Sequence, residues 1–218
     1  MKNFISIMAI FKNESIYLKE WIDFHLLAGI DHFYLYDNSD NETASPVLKE
    51  YVDRKIVTHI KWSANLSGKN VLARPHRTHF LHNYGKETDW VAFIDLDEFL
   101  FTLQHNNLKE YFDEKIKEET GCIVIPSTYF GSSGEINYTP LETYKRFTMR
   151  MPLNNLWNGH PFFKSIAKIS TIRDFISAHK VNVSNYTVLE CANIIDQKKL
   201  TKCKIKGNKH LSMEPSYL

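Results

Sequence analysis

The sequence lacks long hydrophobic runs, is poor in cysteine and has almost no net charge. No apolar stretch approaches the ~18 residues of a membrane span, so we expect no transmembrane helix. Lysine and arginine number 27 against 25 acidic residues, a net charge of +2, which argues against a nucleic-acid-binding protein. The three cysteines, Cys122, Cys191 and Cys203, match no zinc or redox spacing. We therefore expect a reduced, cytoplasmic compartment.

The length and the local charge of the chain set further bounds. A chain of 218 residues fits one domain with a small appendage. The N-terminal apolar run has no small-residue cleavage site and stops at Lys12, so it predicts a buried strand rather than a signal peptide. Near the C-terminus, six lysines lie between Lys198 and Lys209. This basic tail is interpreted either as a solvated surface or as a peripheral contact with the anionic inner face of a membrane.

Hydrophobic periodicity predicts alternating strands and helices up to residue 126. A continuous apolar run, typical of a strand buried on both faces, covers residues 4–11, and further strands are predicted near residues 30–36, 56–62, 90–94 and 121–126. Apolar residues spaced by three and four predict a helix near residues 14–28, and further helices are predicted near residues 45–53, 71–84 and 107–118. This order predicts an α/β fold with a mostly parallel central sheet flanked by helices. Beyond residue 126 only short strand-like pieces remain, such as residues 163–169 and 179–183.

Polar residues follow the predicted strands where ligands bind in parallel sheets, beyond the carboxyl ends. These residues are Asn13, Glu14, Asp37, Asp95 and Asp97. The last two stand in VAFIDLDEFL, directly after a buried strand, and two carboxylates so close repel unless a cation lies between them. Mg²⁺ or Mn²⁺ would suit such oxygen ligands and could bridge a leaving diphosphate. The alternative is a structural turn with solvated acids.

Two longer segments resemble a known family. They are LKEWIDFHLLAGIDHFYLYDNSDN (residues 18–41) and DWVAFIDLDEFL (residues 89–100), and both are similar to glycosyltransferase family 92, once called domain of unknown function 23. FGSSG (130–134) and FKSIAKI (163–169) extend the likeness. The resemblance implies a GT-A fold. The resemblance covers residues 1–183, and the domain expected there has a nucleotide-sugar-binding half in residues 1–126 and an acceptor-side half in residues 127–183. Residues 184–218 are expected to form a C-terminal basic extension.

The resemblance implies nucleotide-binding roles for several of these residues. Asn13 and Glu14 match the loop that borders the nucleotide, and Asp95 matches a residue that meets ribose or metal. Asp37 matches an acid that contacts base or ribose, although an Asx turn explains an aspartate there equally simply. Lys164 is expected to meet a phosphate oxygen, or else to lie at a strand edge.

The resemblance also implies a metal site and a reaction. Asp95 and Asp97 would bind Mn²⁺ or Mg²⁺, and His179 would complete the site, unless it is a structural histidine. Family members are treated as inverting enzymes, several of them galactosyltransferases. An inverting transfer needs a base for the acceptor hydroxyl, and the loop FGSSGE offers Glu135. The candidates to stack on sugar rings are Tyr129, Phe130 and Trp157.

The expected activity is therefore transfer of a hexose, with galactose as one candidate, from a nucleotide sugar such as a UDP-sugar. The acceptor would be a glycan or glycolipid in polysaccharide or lipopolysaccharide synthesis, and the origin bacterial. A C-terminal His-Tyr and Lys-Ser motif of family relatives is not clear here. One alternative is a haloacid-dehalogenase-type phosphatase, whose motif normally continues with Thr or Val where this chain has Phe99. The other is a non-catalytic sugar-nucleotide binding protein.

Overall fold

The computed structural model shows strands and helices alternating along the chain. It describes residues 2–63, 75–127, 129–137, 139–150, 163–175, 181–184, 187–190 and 210–212. The strands are β1 (Asn3–Phe11), β2 (His32–Asp37), β3 (Val57–Lys61), β4 (Thr88–Phe93), β5 (Thr120–Pro126), β6 (Phe163–Lys168), β7 (Ile172–Phe175), β8 (Val181–Val183), β9 (Thr187–Glu190) and β10 (His210–Ser212). The helices are α1 (Ser15–Leu27), α2 (Ala44–Asp53), α3 (Pro75–Tyr84), α4 (Leu108–Lys115) and the single turn α5 (Thr143–Arg146).

One eight-stranded sheet organises the described residues, in the order β10-β9-β5-β6-β4-β1-β2-β3. Within it, every neighbouring pair is parallel except the two pairs that β6 makes, with β4 and with β5. A separate antiparallel pair joins β7 to β8. The predicted α/β fold with a mostly parallel central sheet is therefore confirmed.

The sheet is buried on both faces because β1, β2 and β4 alternate between two apolar clusters. Ile5 and Ile7 of β1 pack with the cluster that α1, α2 and α4 cover, whereas Met8 points to the cluster beneath α3. This explains why the strands read as continuous apolar runs. Within the described residues, no helix is long and apolar enough to cross a membrane.

The turn between α1 and β2 depends on a glycine. Gly29 has a φ of 99°, a left-handed conformation that favours glycine after a helix. The backbone N–H of Ile30 then donates to the carbonyl of His25. The predicted end of this helix is therefore confirmed, and β2 starts in register with β1, with Ser6 opposite His32.

The largest departure from a simple β-α-β succession lies in β6. This strand inserts between β4 and β5 and runs against both. Its first residues therefore reach the edge of the sheet at which the parallel strands end. Further along the chain, β9 pairs with β5 and β10 with β9, so both short strands of the predicted extension join the same sheet. The division into residues 1–183 and 184–218 stays a prediction.

Candidate functional site

The centre of the candidate site is an acidic turn, residues 95–98, that follows β4. The backbone N–H of Glu98 donates to the Asp95 carbonyl at 3.2 Å. In return, Glu98 Oε2 accepts the backbone N–H of Asp95 at 2.9 Å. Asp97 is exposed at the tip, and Leu96 points into the core. The turn thus presents Asp95 and Asp97 at the carboxyl edge of the sheet, where ligands bind in folds of this kind.

Helix α1 fixes the position of the acidic turn through two buried side chains. Trp21 Nε1 donates to the Glu98 carbonyl at 2.7 Å. His25 Nε2 accepts the backbone N–H of Leu100 at 3.0 Å, and its Nδ1 donates to the Trp21 carbonyl at 2.8 Å. Burial lowers the pKa of His25 to about 4, so the ring is neutral at pH 7 and can accept this bond. Both residues are framework, not ligands.

Lys164 brings the one positive charge that contacts the acidic turn among the described residues. Its Nζ lies 2.7 Å from Asp95 Oδ2 and 2.8 Å from Glu98 Oε1. Lys164 reaches this place because β6 is antiparallel, with Ser165 opposite Phe93 at the end of β4. The side chain is only 10% exposed. A buried ammonium needs such carboxylate partners, since desolvation of an unpaired charge is costly.

Glu14, in the loop after β1, lies within electrostatic range of the same turn. Burial raises the pKa of Glu14, a hydrogen bond from the backbone of Lys12 opposes the rise, and the charges of Asp97 and Asp95 add to it. A carboxyl pKa raised by other carboxylates indicates that the acids share one region of negative potential. The structure therefore brings together three predicted residues from two loops: Glu14, Asp95 and Asp97.

The charge around the acidic turn is unbalanced. The Glu14 carboxylate interacts with the charges of Asp95 and Asp97, and the Glu98 carboxylate with that of Asp95, whereas the Lys164 ammonium pairs only with Asp95 and Glu98. Asp97 forms no hydrogen bond or ion pair with the described residues. An excess of carboxylate oxygens is the donor set that Mg²⁺ and Mn²⁺ prefer, so these residues fit a hard divalent cation.

A complete ligand set is not assembled among the described residues. No three acidic, histidine or cysteine side chains there stand close enough together to hold a metal ion. His179, the predicted third ligand, lies outside the described residues, as does the lysine-rich tail. The metal-binding roles of Asp95, Asp97 and His179 therefore stay predictions.

Asp37 lies at the end of β2, with its side chain 0% exposed. One oxygen accepts the backbone N–H of Ser39, and the other lies 3.0 Å from both His59 Nε2 and Lys61 Nζ. Burial alone would raise the pKa of Asp37, but these contacts outweigh it and lower the pKa. This geometry is that of the Asx turn considered as the alternative. Contact with a base or ribose stays a prediction for this residue.

Asn13 joins the loop after β1 to the loop after β2. Its φ is 59°, a left-handed conformation that asparagine adopts more readily than most residues. Its side-chain oxygen accepts from Asp40 N and Asn41 Nδ2, and its backbone N–H donates to Ser39 Oγ. These contacts hold the two loops beside each other at the carboxyl edge, and a nucleotide contact stays a prediction.

The predicted acceptor-side residues lie in an exposed loop. Glu135 is exposed, and it makes no contact with the acidic turn within the described residues. Tyr129 is 50% exposed, and its pKa is raised first by burial and then by the charge of Glu98. The charges of the acidic turn therefore reach Tyr129. Phe130 is 53% exposed in the same loop, and Trp157 lies outside the described residues. The role of Glu135 as a base stays a prediction.

Glu98 is the site residue that the sequence interpretation missed. It stands next to the aspartate pair in the same motif, so the signal was present in the printed sequence. The sequence alone does not show whether an acid directly after the aspartate pair has a partner in the site or only faces solvent. The structure gives it two partners, Lys164 and the backbone of Asp95.

The chain is similar both to a known protein family and to individual curated proteins. The chain belongs to glycosyltransferase family 92, whose model matches residues 4–212. Among curated proteins, a glycosyltransferase family 92 protein of Oryza sativa subsp. japonica is 26% identical over 142 residues, 64% of this chain and 24% of that protein. One of Ricinus communis is 26% identical over 110 residues, 48% of this chain and 18% of that protein. The chain thus spans a quarter or less of these relatives' length.

Solved structures show more distant likenesses. A mannosyltransferase from Pyrobaculum calidifontis, in complex with GDP-Man and Mn²⁺, matches 57% of this chain and 36% of its own, at 11% identity and a TM-score of 0.40. S. aureus TarS matches 78% of this chain and 48% of its own, at 15% identity and a TM-score of 0.47. These scores are too low to transfer a substrate or metal. Family membership itself leaves the haloacid-dehalogenase alternative without support.

Proposed function

We propose that the protein is a metal-dependent glycosyltransferase that moves a hexose from a nucleotide sugar to a glycan or glycolipid acceptor. Membership of glycosyltransferase family 92 supports the reaction class. The observation that favours this site is the excess of carboxylates at the carboxyl edge, where Asp97 has no cationic partner among the described residues. A UDP-sugar is the donor we would test first.

Asp95 and Asp97 would hold Mn²⁺ or Mg²⁺, with Glu14 adding negative charge beside them. When bound, such an ion supplies Lewis-acid stabilisation of the charge that develops on a leaving nucleoside diphosphate. Lys164 would donate to a phosphate oxygen, because its ammonium already lies at the turn. Asn13 and Asp37 would border the nucleotide from the neighbouring loops, and His179 would complete the metal site.

Inversion at the sugar carbon is the stereochemical course that we propose. It requires a base on the acceptor side, opposite the leaving diphosphate, and Glu135 is the candidate because it stands in an exposed loop beyond β5. Flexible loops often supply such groups. A role in polysaccharide or lipopolysaccharide synthesis, with a peripheral membrane contact through the basic tail, belongs to the same proposal. The two curated relatives are plant proteins and give no support to a bacterial origin.

The test is a screen of UDP- and GDP-sugars for release of the nucleoside diphosphate, with Mn²⁺ or with EDTA, and with and without glycan acceptors. The native protein is expected to release it only with Mn²⁺. Asp97→Ala is expected to lower the rate on the order of a thousandfold, since a catalytic metal contributes several kcal/mol. The exposed Asp113→Asn, on α4, is the matched control and is expected to keep the native rate.

Two results would contradict the proposal. Full activity in Asp97→Ala, with the variant folded by circular dichroism, would reject the metal assignment. Tight binding of UDP with no turnover of any donor, in the presence of acceptors, would instead favour the non-catalytic binding protein.

A further inference from the structure

The two oxygens of the Glu98 carboxylate have separate partners. Oε1 lies 2.8 Å from Lys164 Nζ, and Oε2 accepts the backbone N–H of Asp95 at 2.9 Å. The side chain is 27% exposed, against 49% for Asp95. Glu98 is thus the inner acid of the turn, and its carboxylate connects the β6 lysine to the β4 aspartate.

The backbone around Glu98 is held independently of that carboxylate. Its carbonyl accepts from Trp21 Nε1 at 2.7 Å, and two residues later the Leu100 N–H donates to His25 at 3.0 Å. Because α1 fixes the main chain at these two points, a change in the Glu98 side chain leaves the path of the turn supported.

Lys164 cannot depend on Asp95 alone if Asp95 serves a cation. In this structure the ammonium is shared by two carboxylates and is nearly buried. An oxygen of Asp95 that turned to a divalent ion would leave Lys164 with one carboxylate partner among the residues that the structure describes, and that partner is Glu98. Without Glu98, the ammonium would be repelled by the nearby ion and left buried without compensation.

We propose that Glu98 is a positioning residue that holds the Lys164 ammonium in place beside the Asp95–Asp97 pair, ready for a diphosphate oxygen. This inference rests on the proposed function. Glu98 does not touch the ion or the donor; it acts through Lys164 and through the backbone of Asp95. The competing role, in which Glu98 is itself a ligand of the ion, predicts a different pattern of binding.

Glu98→Gln separates these roles. A glutamine can accept a hydrogen bond at only one of its two terminal groups, so it cannot serve both Lys164 and the Asp95 N–H. Removing a negative charge next to Lys164 should by itself strengthen the binding of an anion. Weaker diphosphate binding in Glu98→Gln would therefore show that Lys164 has lost its position, because the change in electrostatic potential alone would strengthen the binding.

Two titrations measure the effect: Mn²⁺ alone, by electron paramagnetic resonance, and UDP or GDP in saturating Mn²⁺, by calorimetry. For Glu98→Gln we expect Mn²⁺ affinity within about threefold of native and nucleoside diphosphate affinity about tenfold weaker, as for the loss of one charge-assisted hydrogen bond. Asp97→Asn should instead lose Mn²⁺ affinity. Glu118→Gln is the matched control, since it is exposed and precedes the start of β5, at the opposite edge of the sheet.

A double variant adds a readout that a purely structural role would not change. If Glu98 acts through Lys164, then Glu98→Gln combined with Lys164→Met should bind the diphosphate no more weakly than Lys164→Met alone, within about twofold. If Glu98→Gln instead damages the site independently of Lys164, its loss of diphosphate affinity will add to that of Lys164→Met. That result would overturn the inference.

The remaining outcomes distinguish the inference from the proposed function. If native protein binds UDP or GDP with Mn²⁺ and Glu98→Gln binds it equally well or better, the inference alone is wrong. A loss of Mn²⁺ affinity equal to that of Asp97→Asn would make Glu98 a metal ligand and also overturn it. If the native protein binds neither nucleotide with Mn²⁺, the proposed function fails and the inference fails with it.

Discussion

At the scale of single residues, burial decides which titratable groups belong to the framework and which face a ligand. His25 and Asp37 have fully buried side chains, and each is satisfied by backbone or side-chain partners. Asp97 is exposed and has no such partner among the described residues. Position at the carboxyl edge is thus not enough to assign a role, because an edge residue can be committed to holding the loops.

His25 should make stability depend on pH. Its pKa is about 4 in the folded protein against an ordinary value of 6.5, so below pH 6.5 the unfolded chain binds more protons. The free energy of unfolding should therefore fall as the pH drops, by about 2 kcal/mol between pH 7 and pH 5 from this group. Denaturant unfolding of native protein at the two pH values, compared with His25→Gln, measures this share.

Burial also lowers the pKa of His32, so His32 adds its own pH dependence to the free energy of unfolding. The share of His25 is therefore the difference between native protein and His25→Gln. The exposed His82→Gln, on α3, is the control and should keep the native pH dependence. If His25→Gln keeps the native pH dependence of the free energy of unfolding, or if His25 titrates near 6.5 by NMR, the ring is not held neutral as described.

At the scale of elements, α1 links the core to the site. The same helix buries Leu18 and Ile22 under the sheet and holds the acidic turn through Trp21 and His25. Local periodicity was enough to predict this helix. It could not predict the hydrogen bonds of His25 and Trp21, since their partners lie 75 and 77 residues away along the chain.

The turn that ends α1 gives a test at the same scale. In Gly29→Ala the new Cβ would lie 3.3 Å from Asn107 Cβ, at a φ of 99°. We expect a loss of about 1–2 kcal/mol in the free energy of unfolding, the cost of a left-handed conformation for a residue with a side chain. Urea unfolding at pH 7 measures this loss.

Gly131→Ala is the matched control for that measurement. Its nearest neighbour, the Met149 carbonyl oxygen, would lie 3.8 Å from the new Cβ, an ordinary contact. We expect a change of less than about 0.5 kcal/mol there. Equal effects of the two substitutions would contradict the role given to the left-handed turn.

At the scale of the whole molecule, the sequence predicted which segments form strands better than it predicted which strands pair with one another. Apolar runs located β1 to β5, and the aspartate pair was expected at the edge where it lies. The place of β6 depends on pairing with strands about 70 residues earlier and 40 earlier, which local patterns do not encode. That pairing brings Lys164 to Asp95, so the salt bridge was beyond sequence reasoning although both residues had been selected.

The central claim is that the carboxylates at this edge bind a nucleoside diphosphate through a divalent cation. The most direct measurement is calorimetric titration of UDP, and separately GDP, into native protein and Asp97→Asn, with Mn²⁺ and with EDTA. We expect native protein and Asp113→Asn to bind the nucleoside diphosphate with matching affinity and only with Mn²⁺, and Asp97→Asn not to bind it. Equal affinity in EDTA, or in Asp97→Asn that is folded, would contradict it.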